Sequence, residues 1–181
     1  LAGNLCNAPP AADTAVALLV FEAEVKVAST AGRRSIPIRE FFLGPGQSAL
    51  GPGELVTEIV LPGASAGFRG SYLRLSRRKG MDLATVGVLV GKSNGTLPAR
   101  WRVALAAVAP TPLRLRAVEE LLEAKGAAGA DEAAEAAKVA CRPITDLRGS
   151  AEYRREMVGV LVRRGALSLG YVTIQWFKLD W

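Results

Sequence analysis

The segment ATVGVLVG, residues 84–91, has the β-branched content of a buried strand and is central to the predicted fold. GSYLRLS at residues 70–76 precedes it across a basic loop. ARWRVALAAVA at residues 99–109 follows it across an Asn94-Gly95 pair, which suits a tight hairpin. The three segments therefore predict a three-stranded antiparallel sheet.

Helical patterns follow these strands. Thr111 is placed to cap a helix with Pro112 at its first position, where a missing amide costs little. DEAAEAAKVAC, residues 131–141, predicts a second, alanine-rich helix, and Ser150 is placed to cap a third. Strands followed by helices are typical of an α+β domain whose helices pack on one face of the sheet.

The third of these helices is predicted to be amphipathic, with an apolar stripe towards the core and a basic surface towards water. The expected buried residues are Tyr153, Met157, Val160 and Leu161. The arginines of the helix are expected mostly to face water, namely Arg154, Arg155, Arg163 and Arg164.

The first sixty residues have a mixed α/β pattern. Asp13 is placed to cap the first helix, because its carboxylate can accept free amides of the first turn. EVKVAS (24–29) and RSIPI (34–38) predict two strands, the second at a sheet edge because Pro37 has no amide hydrogen to donate. ELVTEIVLP (54–62) predicts a further strand.

Composition excludes several function classes. The chain has 181 residues, of which 50% are hydrophobic, and no histidine, so serine and cysteine nucleophile systems that need an imidazole are excluded, as are most zinc sites. Cys6 and Cys141 lack the spacing of a metal or redox pair and favour a reduced, cytoplasmic setting. The longest apolar run, residues 15–21, is far shorter than the roughly 20 residues of a membrane span.

The formal net charge of +6 leaves a second function class open. A basic chain can bind a polyanion, and Arg77, Arg78 and the arginines of the last helix are the candidates for a nucleic-acid-binding or interaction module without enzymatic activity. The sequence lacks the interleaved aromatic residues and the motifs of such modules.

Five segments occur in the order and at the spacing seen in one known family. They are GNLCNAPPAADT (3–14), ELVTEIVLP (54–62), SRRKGMDLATVGV (76–88), VAPTPLRLRAVE (108–119) and PITDLRGSAEYRREM (143–157). Together they resemble the FAD-binding medium subunit of molybdenum hydroxylases, of the carbon monoxide dehydrogenase flavoprotein type, with xanthine dehydrogenase as a more distant relative. The resemblance covers residues 1 to about 167.

The resemblance implies an α+β fold in two parts. Residues 1–62 are expected to be the C-terminal part of an FAD-binding α/β subdomain. Residues 67–167 are expected to hold the three-stranded antiparallel sheet packed with a three-helix C-terminal domain. SLGYVTIQWFKLDW, residues 168–181, departs from the family as an atypical tail. Because the chain begins inside the family's second flavin-binding stretch, it is expected to be the C-terminal part of a longer subunit.

The resemblance also implies a set of cofactor-binding residues. They are Leu1, Ala2, Gly3, Asn4, Asp13, Val56 and Arg74. Gly3 lets the backbone approach a flat ring or a phosphate closely, and the Asp13 carboxylate has acceptor sites for FAD beyond those used in capping. Ala2 stands where the family usually has a second glycine, and Arg74 lies where relatives carry a lysine near FAD. No catalytic residue and no metal ligand are assigned.

The function implied by the resemblance is electron transfer. Electrons released at a molybdenum cofactor in a large partner subunit would pass through [2Fe-2S] centres in a small subunit to FAD and then to an acceptor. The chain is therefore expected to act in a hetero-oligomer as an oxidoreductase subunit, with the redox chemistry carried by the cofactors. A nucleic-acid partner and a membrane span are not expected.

Overall fold

The computed structural model describes residues 1–62, 67–78, 81–93 and 100–170. The predicted Asn94-Gly95 hairpin and residues 171–181 of the predicted tail lie outside the described residues. The N-terminal elements are α1 (Ala2–Cys6), α2 (Asp13–Val20), β1 (Glu24–Ser29), β2 (Gly32–Pro37), α3 (Ile38–Phe41), β3 (Phe42–Gly44), β4 (Gln47–Ser48) and β5 (Leu55–Val60). The C-terminal elements are β6 (Phe68–Leu75), β7 (Val86–Ser93), β8 (Trp101–Ala106), β9 (Leu113–Arg114), α4 (Arg116–Lys125), a 3-10 turn (Gly126–Gly129), α5 (Ala130–Ala140) and α6 (Ala151–Gly170).

The C-terminal sheet has the order β6-β7-β8-β9, with every pair antiparallel. The three predicted strands are confirmed, but within the described residues the sheet has a fourth strand, β9, which the sequence did not predict. Leu113 pairs with Leu105, and the amide of Leu115 donates to the carbonyl of Val103 at 2.9 Å. The helix predicted to start at Thr111 therefore begins only at Arg116, because the intervening residues extend the sheet.

Strand β7 is buried on both faces. Val86, Val88 and Val90 point into a core that also holds buried residues of α4, α5 and α6. Leu89 points the other way, into a second core shared with α2 and β1. The C-terminal helices thus cover one face of the sheet, as predicted, while α2 covers the opposite face. This arrangement brings the N-terminal segment against β7 and β8.

A glycine pair in this sheet makes room for an aromatic ring. Gly70 on β6 pairs with Gly91 on β7, and the ring of Phe68 lies against both. Phe68 also packs edge-on against Phe21, which follows α2, with the ring centroids 5.1 Å apart. A side chain at either glycine would occupy the space of the Phe68 ring. The two glycines therefore allow Phe68 to pack between the sheet and the end of α2.

Replacing Gly91 with valine is expected to lower the free energy of unfolding by about 1–3 kcal/mol through overpacking. A β-carbon at this position would lie 2.1 Å from Cζ of Phe68 and 2.8 Å from the carbonyl oxygen of Arg69. Urea unfolding followed by circular dichroism measures the change. Combining the change with Phe68→Leu should cost less than the two single losses added together, and simple additivity would show that the ring is not the obstacle.

In the N-terminal part, β1 pairs antiparallel with β2 on one side and with β5 on the other. The predicted strands at residues 24–29, 34–38 and 54–62 are confirmed with small shifts of their ends. Strand β2, which contains Pro37, lies at the edge of this sheet as predicted. Val25 and Val27 are fully buried towards α2.

Helix α6 begins as predicted, because the hydroxyl of Ser150 accepts the amide of Tyr153 at 3.1 Å. Two of the residues predicted to be buried in this helix are exposed, and one of the residues predicted to face water is buried. Tyr153 and Val160 are exposed, whereas Arg154 is only 1% exposed. The core-facing residues are Val158, Leu161, Val162 and Ala166, with Met157 partly buried. Arg154 is buried because backbone carbonyls and a carboxylate surround its guanidinium. The helix continues to Gly170, three residues into the segment predicted as a tail.

Among the residues that the structure describes, no helix is both long enough and apolar enough to span a lipid bilayer.

Candidate flavin-binding site

The first residues of the chain form a short helix. This helix is α1, in which the amide of Leu5 donates to the carbonyl of Leu1 at 3.1 Å. Leu5 is fully buried and anchors the helix, whereas Leu1, Ala2, Gly3 and Asn4 are exposed. A β-carbon placed on Gly3 would meet no atom of the described residues within 4 Å. The surface above Gly3 is therefore open.

Asp13 starts α2 but does not cap it. The capping position is Ala12, and no side-chain hydrogen bond closes this end of the helix, so the prediction that Asp13 caps it is wrong. The Asp13 carboxylate instead accepts a hydrogen bond from the hydroxyl of Tyr72 and lies 3.4 Å from Nε of Arg74. Its negative charge in the first turn still interacts favourably with the helix dipole.

A second contact joins α1 to α2. The hydroxyl of Thr14 donates to Oδ1 of Asn4 at 3.0 Å. Asn4, Asp13, Thr14, Tyr72 and Arg74 are thereby brought together, and we call these residues the Asp13 cluster. Three of the sequence-predicted site residues, Asn4, Asp13 and Arg74, belong to it.

The Asp13 cluster keeps unused hydrogen-bonding capacity. The side-chain amide nitrogen of Asn4 and Oδ2 of Asp13 have no hydrogen-bond partner among the described residues. The Asp13 side chain is 44% exposed. The amide of Asn4 as a donor and the oxygen of Asp13 as an acceptor, both on exposed side chains, suit a ligand that carries hydroxyl, carbonyl and N–H groups.

Tyr72 and Arg74, both on β6, contact the Asp13 carboxylate. They lie two residues apart on β6, so their side chains leave the same face of the sheet. Partial burial of the Tyr72 side chain, together with the hydrogen bond to Asp13, raises the pKa of Tyr72, so its hydroxyl stays protonated as a donor. Gly87 on the neighbouring strand makes room for it, since a β-carbon there would lie 2.6 Å from the Tyr72 hydroxyl.

Sequence reasoning missed Tyr72. The alternation of β6 carried the signal, because a strand that presents Arg74 to one face also presents Tyr72 to that face. Val56 lies elsewhere, on β5 opposite Val27, and packs against the N-terminal core. No hydrogen bond or ion pair in the described part of the chain connects Val56 to the Asp13 cluster.

The basic residues proposed for nucleic-acid binding are largely engaged. Arg77 lies 3.4 Å from the carboxylate of Asp82, and Nε of Arg78 donates to the carbonyl of Met81 at 3.0 Å. On α6, Arg154 is buried and Arg163 is paired with Asp131. These contacts offset part of the positive charge that a polyanion would need.

Comparison with known proteins identifies both parts of the chain. Residues 1–64 match the model of the FAD binding domain in molybdopterin dehydrogenase. Residues 71–169 match the model of the CO dehydrogenase flavoprotein C-terminal domain. The two matches follow one another in the order of the two sheets.

Individual relatives agree with these models. The chain is 34% identical over 167 residues to the carbon monoxide dehydrogenase medium chain of Hydrogenophaga pseudoflava, covering 91% of this chain and 58% of the relative. It is 30% identical to the nicotine 6-hydroxylase medium subunit of Paenarthrobacter nicotinovorans, covering 94% of this chain and 60% of that subunit.

The fold is shared with solved structures. A chain of carbon monoxide dehydrogenase from Hydrogenophaga pseudoflava superposes with a TM-score of 0.83 at 35% identity, covering 93% of this chain and 59% of the other. The present chain thus spans less than two thirds of the length of the relatives it matches. On the family models, the sequence identities and the shared fold, the chain belongs to the family of FAD-binding medium subunits of molybdenum hydroxylases, of the carbon monoxide dehydrogenase flavoprotein type.

Proposed function

We propose that this chain binds part of FAD and serves in the electron-transfer subunit of a molybdenum-containing dehydrogenase. The observation that carries the proposal is the Asp13 cluster, which lies within and against the segment matched by the FAD-binding model. Leu1, Ala2 and Gly3, and also Val56, which lies apart from the cluster on β5, remain proposed cofactor contacts. The division of the chain at residues 62 and 67 likewise remains a proposal.

The groups of the Asp13 cluster fit one portion of FAD. The ribityl chain and the flavin ring present hydroxyls, carbonyls and N–H groups, which match the free amide of Asn4 and the free oxygen of Asp13. A carboxylate repels a diphosphate, so Asp13 does not suit the pyrophosphate. The open surface above Gly3 leaves space for a flat ring.

In this role the chain positions the cofactor. Tyr72 and Arg74 fix the Asp13 carboxylate, and Thr14 fixes the orientation of the Asn4 side chain. FAD, when bound, supplies the redox chemistry of the subunit. The protein contributes hydrogen bonds at the cofactor and a folded support for them.

The proposed partners follow from the names of the relatives, which are called medium chains and medium subunits. We propose a hetero-oligomer with a large subunit that holds the molybdenum cofactor and a small subunit that holds [2Fe-2S] centres, which deliver electrons to FAD. A cytoplasmic setting is proposed on the two free cysteines, Cys6 and Cys141.

Replacing Asp13 with alanine is expected to weaken FAD binding by about 1–3 kcal/mol, because one hydrogen bond to a charged acceptor is lost. Titration of FAD with the protein, followed by flavin fluorescence, measures the affinity. Glu40→Ala is the matched control, since Glu40 is an exposed carboxylate in the first turn of α3. Thermal unfolding of both variants shows whether they remain folded. A folded Asp13→Ala variant that binds FAD as tightly as its parent would exclude Asp13 from the site.

A further inference from the structure

Helix α6 carries a buried cation that the proposed function does not use. Arg154 is 1% exposed, and its Nη1 donates to the carbonyls of Thr85 and Ala107, each at 2.9 Å. Its Nη2 donates to the carboxylate of Asp146. The planar guanidinium therefore bridges three acceptors that come from three separate segments of the chain.

Asp146 is itself held in place. Arg148 binds it through its backbone amide at 2.8 Å and through its guanidinium at 2.7 Å. The turn is closed by Asp146 and Gly149, whose backbones bond to each other in both directions. Hydrogen bonds from Arg148 and Arg154 lower the pKa of Asp146, so its carboxylate is charged at neutral pH. The partner of Arg154 is therefore a charged carboxylate that other hydrogen bonds hold in place.

One carbonyl held by Arg154 belongs to a residue that contacts the flavin-binding segment. Ala107 has a φ of 64°, a left-handed conformation that is unfavourable for alanine and persists only when its surroundings hold it. Its amide donates to the carbonyl of Pro10 at 2.7 Å. Pro10 lies in the connection between α1, which carries Asn4, and α2, which starts at Asp13.

The other carbonyl leads to the same site from a second direction. Thr85 accepts from Arg154 and donates its own amide to the carbonyl of Leu75 at 2.8 Å. Leu75 ends β6 directly after Arg74, which lies against Asp13. Arg154 is therefore linked by two hydrogen bonds in series to each of the two segments that meet in the Asp13 cluster.

Energetics favour a positioning role over mere filling of space. Nε of Arg154 is buried and has no hydrogen-bond partner among the described residues, so this N–H group carries an uncompensated desolvation cost. An apolar side chain of similar volume would avoid this cost. However, an apolar side chain could not hold the carbonyls of Thr85 and Ala107 at a fixed separation.

We propose that Arg154 is a positioning residue for the candidate flavin site, acting through Ala107 on the Pro10 segment and through Thr85 on the end of β6. This inference rests on the proposed FAD binding. It assigns the stretch around residues 143–157, which contributes no residue to the Asp13 cluster, a part in the geometry of that cluster.

Arg154→Lys is the test variant, because lysine keeps the charge but not the planar fork. Val162→Ala is the matched control, since Val162 is fully buried on the same helix and its truncation loosens the core without touching Thr85 or Ala107. Amide hydrogen exchange by NMR is measured at Ala107, with the amide of Leu115, bonded to Val103, as a reference for opening of the sheet. FAD affinity is measured by fluorescence titration of the same samples.

Arg154→Lys is expected to accelerate exchange at Ala107 about tenfold relative to Leu115 and to weaken FAD binding about tenfold, the effect of losing one hydrogen bond. Val162→Ala should change neither the ratio of the exchange rates at Ala107 and Leu115 nor the affinity for FAD. An unchanged FAD affinity in the folded Arg154→Lys variant, or an equal loss in Val162→Ala at equal stability, would overturn the role of Arg154. A parent chain that binds no FAD would contradict the proposed function itself.

If Arg154→Lys does not fold, Arg148→Ala replaces it, since it loosens Asp146 while leaving Arg154 in place. A smaller change in the same direction at both readouts is then expected. No change at either readout would overturn the inference.

Discussion

Replacing Glu119 with alanine is expected to lower the free energy of unfolding by about 3–5 kcal/mol, the usual cost of removing one partner of a buried ion pair. The Glu119 and Arg114 side chains are only 4% and 9% exposed. Two hydrogen bonds join them, at 2.8 and 3.0 Å. With alanine at position 119, the buried guanidinium of Arg114 would keep only one carboxylate partner among the described residues, Glu22.

The Glu119 carboxylate also accepts a hydrogen bond from the backbone, which adds to the expected loss of stability. Oε1 of Glu119 accepts the backbone amide of Val103 in β8 at 2.9 Å. Removal would leave that buried amide without a partner, and an unsatisfied buried donor is itself costly. Arg114 also reaches Leu19 and Glu22 at the end of α2, so the pair helps join the N-terminal part to the sheet.

Urea unfolding at pH 7 measures this loss, with two variants for comparison. Glu119→Gln keeps an acceptor for the Val103 amide and should lose less stability than Glu119→Ala. Glu123→Ala removes an exposed carboxylate from the same helix and should change the free energy of unfolding by less than about 0.5 kcal/mol. Equal effects of Glu119→Ala and Glu123→Ala would show that the buried pair contributes nothing.

Replacing Asp146 with alanine is expected to cost a similar amount, about 3–5 kcal/mol at pH 7, because Arg154 would remain buried without its counter-charge. The carbonyls of Thr85 and Ala107 would still accept hydrogen bonds, but no negative charge would face the guanidinium. Glu152→Ala, which removes an exposed carboxylate in the first turn of α6, is the matched control and should have a small effect.

The effect of Asp146 should depend on pH in a defined direction. Its pKa is lowered in the folded protein, so its ionised form stabilises the fold fully above the ordinary pKa of about 4. That contribution is lost progressively as the pH falls below this value. The difference in unfolding free energy between parent and Asp146→Ala should therefore shrink between pH 5 and pH 3 or so, and a constant difference over this range would contradict the lowered pKa.

Six of the strands, β1, β2 and β5 to β8, were predictable, because they combine apolar or β-branched residues with well-marked turns. Pro37 indicated a sheet edge for a local reason, the missing amide, and the structure agrees. Ser150 was recognised as a cap for a similarly local reason. The start of α4 was not predictable, because Pro112 is compatible with a first helical turn and only the pairing of Leu113 with Leu105 decides otherwise.

The errors at Asp13 and Arg154 share one cause. Each residue has an ordinary local interpretation, a helix cap for Asp13 and a solvated arginine for Arg154. Each is decided by a partner distant in sequence, Tyr72 on β6 for Asp13 and the carbonyls of Thr85 and Ala107 for Arg154. Local propensity contains no information about such contacts. The family resemblance singled out Asn4, Asp13 and Arg74, which the structure brings together, but not the hydroxyl of Tyr72 that donates to Asp13.

The two-faced burial of β7 restricts how this chain can change in length. Val86, Val88 and Val90 face the C-terminal helices, while Gly87, Leu89 and Gly91 face the N-terminal part and the rings of Phe68 and Tyr72. Inserting or deleting one residue within the strand would exchange the two sets. Valines would then be forced against the aromatic rings, and glycines would leave voids beneath α6. Insertions and deletions of a single residue should therefore not be tolerated in β7.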